Sequence, residues 1–276
     1  MREADITSRQ NPRVKAVCAL ADKKGREASG RFRIDGIKLF SEACRSDMEI
    51  AEVYVRLSSM EAVTARVGQE LARFEHRMIT VSDEVFAKMS EEKAPEGILA
   101  VAEQPKQLHR VGDGAVALLP HERVCFLEAI RDPGNLGTIL RIADWFGADA
   151  VFATRDTVDV FNPKVVQATM GAIFRVKMHY VDLPQLSRLV LDKGGSIFGT
   201  FLDGENMYRK DLDNGLESPA MIVIGNESNG ISEGMASLVT DRLYIPPYPA
   251  DQPGSESLNA AIATAITVAE FRRRLY

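Results

Sequence analysis

Three short loops hold the residue types that grip a ligand or move a proton. The first, Asp132-Pro133-Gly134-Asn135-Leu136-Gly137, leads to Arg141. The second is Gly225-Asn226-Glu227-Ser228-Asn229-Gly230. The third, Ile245-Pro246-Pro247-Tyr248-Pro249, runs on to Ser257-Leu258-Asn259. Glycines let a ligand approach the backbone closely. Asn supplies both a donor and an acceptor, Glu an anionic acceptor, and Arg a fixed planar cation. The chemistry within reach is binding by main-chain groups, with Asn135, Arg141, Glu227 and Asn259 orienting or polarising a reacting group. Each also has an ordinary structural use: Asn135 caps a helix beginning at Leu136, Glu227 closes a turn, and Arg141 is a surface arginine.

Other familiar chemistries are excluded. There is no H-E-x-x-H, and His76, His109, His121 and His179 lie far apart, so no metal site is expected. No G-x-S-x-G nucleophile elbow occurs. Gly225 and Gly230 have P-loop spacing, but Ile231-Ser232 stand where Lys-Ser/Thr is needed. The G-x-G-x-x-G fingerprint is absent. Cys18, Cys44 and Cys125 are scattered, without C-x-x-C, which fits a reducing cytoplasm. The longest nearly apolar run, Leu258 to Ala269, is shorter than the roughly 20 residues a membrane helix needs, so no membrane partner is expected. The opening residues carry no apolar stretch of a signal peptide.

The elements that must position the loops follow from periodicity. In the first part, helices are expected over Val14–Lys24, Ile37–Cys44 and Ser59–Arg73, and one carrying Val85, Phe86 and Met89 behind an Ser82 N-cap. Strands are expected at Phe32–Ile34, Val53–Val55, Arg77–Val81 and Gly97–Ala102. Residues 104–120 mix Pro, Gly and charge and read as a linker. From Val124 the pattern alternates strand and helix, as in a parallel sheet. Strands are expected at Val124–Leu127, Ala150–Ala153, Ser196–Thr200 and Ala220–Gly225. Helices are expected from Leu136, over Lys164–Gly171, and over Ser257–Arg274 with Leu258, Ala261, Ile262, Ala265, Ile266 and Ala269 on one buried stripe. In open α/β sheets ligands collect beyond the carboxyl ends of the strands, where all three loops fall.

Hydrophobic residues make up 45% and charged residues 26% of the 276, which fits a globular protein with a real core and excludes a disordered chain. The net charge of −5 is unevenly spread. Residues 1–45 hold eleven basic side chains against six acidic ones, leaving the rest of the chain at −10. A local basic patch is the footprint of a phosphate backbone, and here it includes Arg9, Arg13, Lys15, Lys23, Lys24 and Arg26.

The three loops resemble the signature motifs of the SpoU (TrmH-like) family of RNA 2′-O-ribose methyltransferases, in the SPOUT superfamily. N-x-G-x-x-x-R is matched by Asn135, Gly137 and Arg141; G-N-E-x-x-G by Gly225, Asn226, Glu227 and Gly230; I-P with a later S-L-N by Ile245-Pro246 and Ser257-Leu258-Asn259. The N-terminal part resembles the family's substrate-binding domain through Ile6-Thr7-Ser8, Asn11-Pro12, Lys23-Lys24 and Pro95-Glu96-Gly97-Ile98-Leu99-Ala100. Departures are the proline-rich Pro247–Pro253 approach and Ala260-Ala261 after Asn259. The resemblance implies an α/β fold: an L30e-like RNA-binding domain over 1–103, then a methyltransferase domain over 121–276 with a mostly parallel sheet and a deep trefoil knot. It implies S-adenosylmethionine as cofactor, held by Thr200, Gly225, Ile245, Ser257 and Leu258. The substrate would be a ribose 2′-hydroxyl of RNA, ribosomal in preference to transfer RNA. Arg141 would act at that hydroxyl, Glu227 would orient Arg141 or receive the proton, and Asn135 and Asn259 would fix side chains and substrate. A homodimer joined through the knotted domain is implied as well. The alternatives are a methyltransferase acting on a base nitrogen and a non-catalytic dimeric RNA-binding protein.

Overall fold

The computed structural model describes residues 3–105, 123–148, 150–212, 220–249 and 257–274. The expected linker beyond Pro105 and the proline-rich approach beyond Pro249 lie outside the described residues, as does the Cys125 side chain. Two compact units are present. One comprises the chain to Pro105 plus the segment Asp159–Arg175, and the other the remainder.

The first unit is built on β1 (Arg31–Asp35), β2 (Ile50–Arg56), β3 (Met78–Val81) and β4 (Ile98–Glu103), in the order β1-β4-β2-β3. β4 lies antiparallel to both β1 and β2, and β2 and β3 are parallel. Alternation along a strand sends neighbouring side chains to opposite faces. Leu99 and Val101 of β4 and Tyr54 of β2 thus meet α1 (Pro12–Ala19) and α5 (Asp83–Met89) through Val14, Val17, Val85, Phe86 and Met89. The other elements are α2 (Lys23–Ser29), α3 (Ile37–Cys44) and α4 (Met60–Ala72). Ser82 caps α5 as expected, accepting the Val85 N–H.

The single helix expected over Val14–Lys24 is two helices. α1 begins behind Asn11, whose side chain accepts the Arg13 N–H at 2.9 Å. It ends at Ala19 because the chain turns back on itself. A Cβ at Gly25 would stand 2.0 Å from the Ala19 carbonyl oxygen, so α2 crosses where only glycine fits. Arg26 holds the turn. Its Nη1 donates to the Leu20 and Ala21 carbonyls at 2.9 and 2.8 Å, while Nε and Nη2 reach Asp159 Oδ2 at 2.8 and 2.6 Å. The side chain is 2% exposed. α7 (Pro163–Thr169), expected to run to Gly171, stops two residues earlier because Met170 and Gly171 adopt positive φ.

The second unit is a six-stranded sheet in which every pairing is parallel, in the order β10-β8-β9-β5-β6-β7. Its strands are β5 (Arg123–Leu127), β6 (Ala150–Ala153), β7 (Met178–Tyr180), β8 (Ser196–Asn206), β9 (Ala220–Ile224) and β10 (Asp241–Tyr244). The helices are α6 (Pro133–Trp145), α8 (Leu183–Asp192), α9 (Glu233–Ala236) and α10 (Ala260–Arg273). β7, β10, α8 and α9 are additions to the expected set. α8 is strongly amphipathic: Leu183, Leu186 and Val190 are buried against Ile197, Met221 and Met235. β8 runs six residues past Thr200, because its pairing with β10 jumps from Gly199 to Glu205 and throws out residues 200–204.

The stripe expected on α10 is only partly inward, with Ala265, Ile266 and Ala269 half-buried. Ala260, Ala261, Thr264, Thr267, Val268 and Phe271 are buried, whereas Leu258 and Ile262 are about half exposed. Thr264 faces inward with its hydroxyl satisfied within the helix, Oγ1 donating to the Ala260 carbonyl at 2.7 Å, whereas the buried Thr267 Oγ1 has no partner among the described residues. Phe271 packs edge-on against Phe198 at 4.8 Å, and Arg272 Nε bonds the Phe146 carbonyl at 2.7 Å, tying α10 to the end of α6.

Replacing Arg26 by alanine removes four hydrogen bonds and leaves the mostly buried Asp159 carboxylate without its cation. Urea unfolding of Arg26→Ala is expected to show a loss of about 3–5 kcal/mol. A change within about 0.5 kcal/mol, as is usual at surface sites, would contradict a structural role.

Candidate functional site at the strand ends

β5 and β9 are neighbours in the sheet, and the chain departs from them to opposite sides: β6 and β7 lie beyond β5, β8 and β10 beyond β9. This is the topological switch point where open parallel sheets bind ligands. The loop leaving β5 and the loop leaving β9 meet there, and the cap of α10 joins them.

The Glu227 carboxylate makes the junction. Its Oε2 accepts the Arg131 N–H and its Oε1 the Asp132 N–H, both at 3.2 Å. Oε1 also accepts from Asn135 Nδ2 at 3.0 Å. The Asn135 Oδ1 in turn accepts from Asn259 Nδ2 at 2.8 Å. Asn259 Oδ1 then caps α10, accepting the N–H groups of Ala261 at 2.9 Å and Ile262 at 3.3 Å. A carboxylate can only accept, so it turns the Asn135 amide toward itself, and that choice turns Asn259. Three loops far apart in sequence are locked in one direction.

Asn135 is therefore not the N-cap of α6. The helix starts a turn earlier, at Pro133, with Asp132 accepting the Asn135 N–H at 2.8 Å. That frees the buried Asn135 side chain for the junction. Asn226 is a connector that the motif contains but that was not singled out from the sequence. Its Nδ2 donates to the Ala129 carbonyl at 2.7 Å, and its Oδ1 accepts the N–H groups of Ser228 and Asn229, both at 3.0 Å. An Asn opening a G-N-E turn is a visible signal, since such residues bond backbone two positions ahead. Ala129 has a positive φ of 54°, held by that bond and by its own N–H on Thr154 Oγ1 at 2.8 Å. Gly225 must be glycine, since a Cβ would lie 2.2 Å from the Gly230 carbonyl carbon.

Burial raises the pKa of Glu227, but the hydrogen bonds from Asn135 and from the Arg131 and Asp132 backbones outweigh it, holding the carboxyl below the usual glutamate range. The expected Glu227–Arg141 pair is not formed, because the Glu227 oxygens face backbone and amide donors. Arg141 is exposed on α6 and, among the described residues, makes no hydrogen bond or ion pair. Thr200, Gly225 and Ile245 are all half-buried: Thr200 lies within β8 where its pairing with β10 breaks, Gly225 and Ile245 directly follow β9 and β10, and Ser257 and Leu258 are exposed just before α10. Among the expected RNA contacts in the first unit, Arg9, Arg13, Lys15, Lys23 and Lys24 are exposed. Arg26 is a correction: its guanidinium is buried in the α1–α2 turn.

Residues 122–269 match the SpoU rRNA Methylase family. The chain belongs to that family. As a member it is an RNA methyltransferase. Residues 11–100 match the MRM3-like substrate binding domain. The chain is similar to the Bacillus subtilis 23S rRNA (guanosine(2553)-2′-O)-methyltransferase RlmP, at 30% identity over 97% of this chain and 98% of the relative. It resembles the structure of a putative RNA methyltransferase of the TrmH family from Porphyromonas gingivalis, with a TM-score of 0.76 and 32% identity over 96% of this chain and 98% of that one. It also resembles an AdoMet-bound rRNA methyltransferase from Sinorhizobium meliloti, with a TM-score of 0.80 and 28% identity over 98% of each chain. Among the described residues, no helix of this SpoU-family chain is long and apolar enough to cross a membrane, and no cluster of three or more His, Cys, Asp or Glu side chains could hold a metal ion.

The carboxyl resonance of Glu227, followed by NMR titration, is expected to have its midpoint below that of an ordinary glutamate, and Asn135→Ala is expected to move it upward. By linkage, the junction is intact above the ordinary carboxylate pKa and comes apart as pH falls through the depressed one. A midpoint unmoved by Asn135→Ala would contradict the assignment.

Proposed function

We propose that this chain transfers a methyl group from S-adenosylmethionine to a ribose 2′-hydroxyl of RNA, with ribosomal RNA as the preferred substrate. The observation that carries the proposal is the single polar junction of Asn135, Glu227 and Asn259, set at the switch point of a parallel sheet. The donor set suits this cofactor. Backbone groups around Gly225, Ile245, Ser257 and Leu258 and the Thr200 hydroxyl can hold a neutral base and ribose. The carboxylates Glu128 and Glu227, bonded into the strand-end loops, favour a nearby cation. When bound, S-adenosylmethionine supplies an electrophilic sulfonium methyl.

The protein's own contribution is alignment, which can supply much of a rate enhancement. Asn135 and Asn259 act as positioning residues that fix the first and third loops against Glu227. Arg141, an exposed guanidinium, is the group available to hold a substrate phosphate and polarise the 2′-hydroxyl. A guanidinium carries only N–H donors and no acceptor, so it does not serve as the base. Glu227 is a poor proton acceptor, because its oxygens already receive backbone and amide N–H groups. Arg141 therefore acts as a cation that makes the hydroxyl more acidic, and the proton passes to solvent.

The same reading covers the finer organisation. Residues 1–103 form an L30e-like RNA-binding domain whose exposed Arg9, Arg13, Lys15, Lys23 and Lys24 meet phosphates. Residues 121–276 form the methyltransferase domain, with its carboxyl segment threaded as a trefoil knot. The knotted domain pairs with a second copy. Trp145 at the end of α6 and Leu258 and Ile262 at the start of α10 are exposed apolar side chains, the kind of surface that such pairing would cover. The protein works in the cytoplasm.

The test is transfer of labelled methyl from S-adenosylmethionine to RNA from cells lacking this enzyme, followed by mapping. Label at one ribose 2′-oxygen is the expected result; label on a base nitrogen contradicts the proposal. Arg141→Ala is expected to keep cofactor affinity and lose roughly a hundredfold or more in turnover, the scale seen when one transition-state donor is removed. Near-normal turnover would exclude the role given to Arg141.

A further inference from the structure

Arg33 and Asp35 stand two residues apart on β1, so strand alternation puts both on one face of the first unit's sheet. Both are more than nine-tenths buried, at 4% and 8% exposure. They border a cavity of about 300 Å³, walled also by Glu91 and Glu92 beyond α5 and by Lys164 and Gln167 of α7. That volume is at the lower end of the range for small-ligand sites.

The polar groups of this wall are incompletely matched. Arg33 Nη1 donates to the Met89 carbonyl at 2.8 Å and Nη2 is 2.6 Å from Glu91 Oε2, but Nε has no partner among the described residues. Asp35 Oδ2 accepts from the Ser90 hydroxyl at 2.5 Å, while Oδ1 has no partner among the described residues. Buried donors and acceptors left unmade are costly, and such sites call for an explanation. Burial pushes the Asp35 carboxyl up to about 6 despite the Ser90 bond and the Arg33 charge, as expected of an acid short of donors. None of these groups takes part in the methyl-transfer site.

We propose that this cavity binds a guanine base of single-stranded RNA. A metal ion or an amine is opposed by Arg33 and Lys164, and a phosphate by three carboxylates. A neutral ligand that gives N–H groups to Asp35 and Glu92 and accepts from a cation matches both signs of charge on this wall. The pairing edge of guanine carries three N–H bonds beside a carbonyl; the other RNA bases carry at most two. Splayed bases read along their edges are how proteins recognise single-stranded RNA by sequence. The proposal rests on RNA being the substrate, and it gives the first unit a specificity role beyond its basic surface.

The test uses the full chain and labelled single-stranded hexamers that differ only in one central base, guanine or adenine, read by fluorescence anisotropy without methyl donor. Guanosine alone is the second probe. The guanine hexamer is expected to bind about tenfold more tightly, the discrimination of a good edge contact. Asp35→Asn, which replaces an acceptor-only group by one carrying N–H, and Ala168→Phe, which fills the cavity from α7, are expected to abolish the preference. Equal affinity of the wild type for both hexamers overturns the proposal even if a variant fails to fold. So does a preference that survives Ala168→Phe. Guanosine binding as tightly as the hexamer would identify a free nucleotide, not RNA, as the ligand and overturn it too. Absence of methyl transfer by a wild type that keeps the guanine preference would count against the catalytic proposal alone.

Discussion

The candidate site depends on one acceptor-only group. Glu227 leaves β9 on a turn shaped by Gly225 and Asn226 and receives N–H groups from the loop that leaves β5. Because a carboxylate cannot donate, the orientation of every amide beyond it is decided: Asn135 shows it nitrogen and shows Asn259 oxygen, and Asn259 keeps its own oxygen for the first turn of α10. A glutamine at 227 would carry a donor, and the chain could then run in either sense. The interior ends of α6 and α10 are thereby coupled, and Arg272 on the Phe146 carbonyl ties the opposite ends.

That coupling assigns roles by availability. Residues inside the chain of hydrogen bonds are committed to one another, and in the proposed reading this leaves Glu227 a weak base and makes Asn135 and Asn259 positioning residues. Arg141 lies outside the chain of bonds and is the exposed group that the proposal assigns to the substrate. The first unit shows the same division among its basic residues. Arg26 is committed to the α1–α2 turn, whereas Arg9, Arg13, Lys15, Lys23 and Lys24 remain at the surface.

Much of this was legible in the sequence where local chemistry decided the outcome. The span of α3, the Ser82 cap and the strands β5 and β9 before the first two loops follow from periodicity and capping, and strand-end position is the reason to expect the loops to share a site. Long-range contacts were not legible. Nothing near Val14–Lys24 announces a break that depends on Gly25 meeting the Ala19 carbonyl and on Asp159 more than a hundred residues later. Hydrophobicity alone does not pick the buried face of α10, because Thr264 faces inward with its hydroxyl bonded to the Ala260 carbonyl of its own helix. β10 is short and charged at its start, and it exists because β8 supplies an edge on which Leu243 can be buried.

The most direct test of the account is a double-mutant cycle on Asn135→Ala and Asn259→Ala, measured by unfolding free energy in parallel with methyl-transfer turnover. Two side chains in one directed hydrogen-bond chain are expected to couple, with an interaction energy of at least about 0.5–1 kcal/mol and non-additive losses in turnover. Additive effects in both measurements would mean that the loops are held independently and that Glu227 does not organise the site.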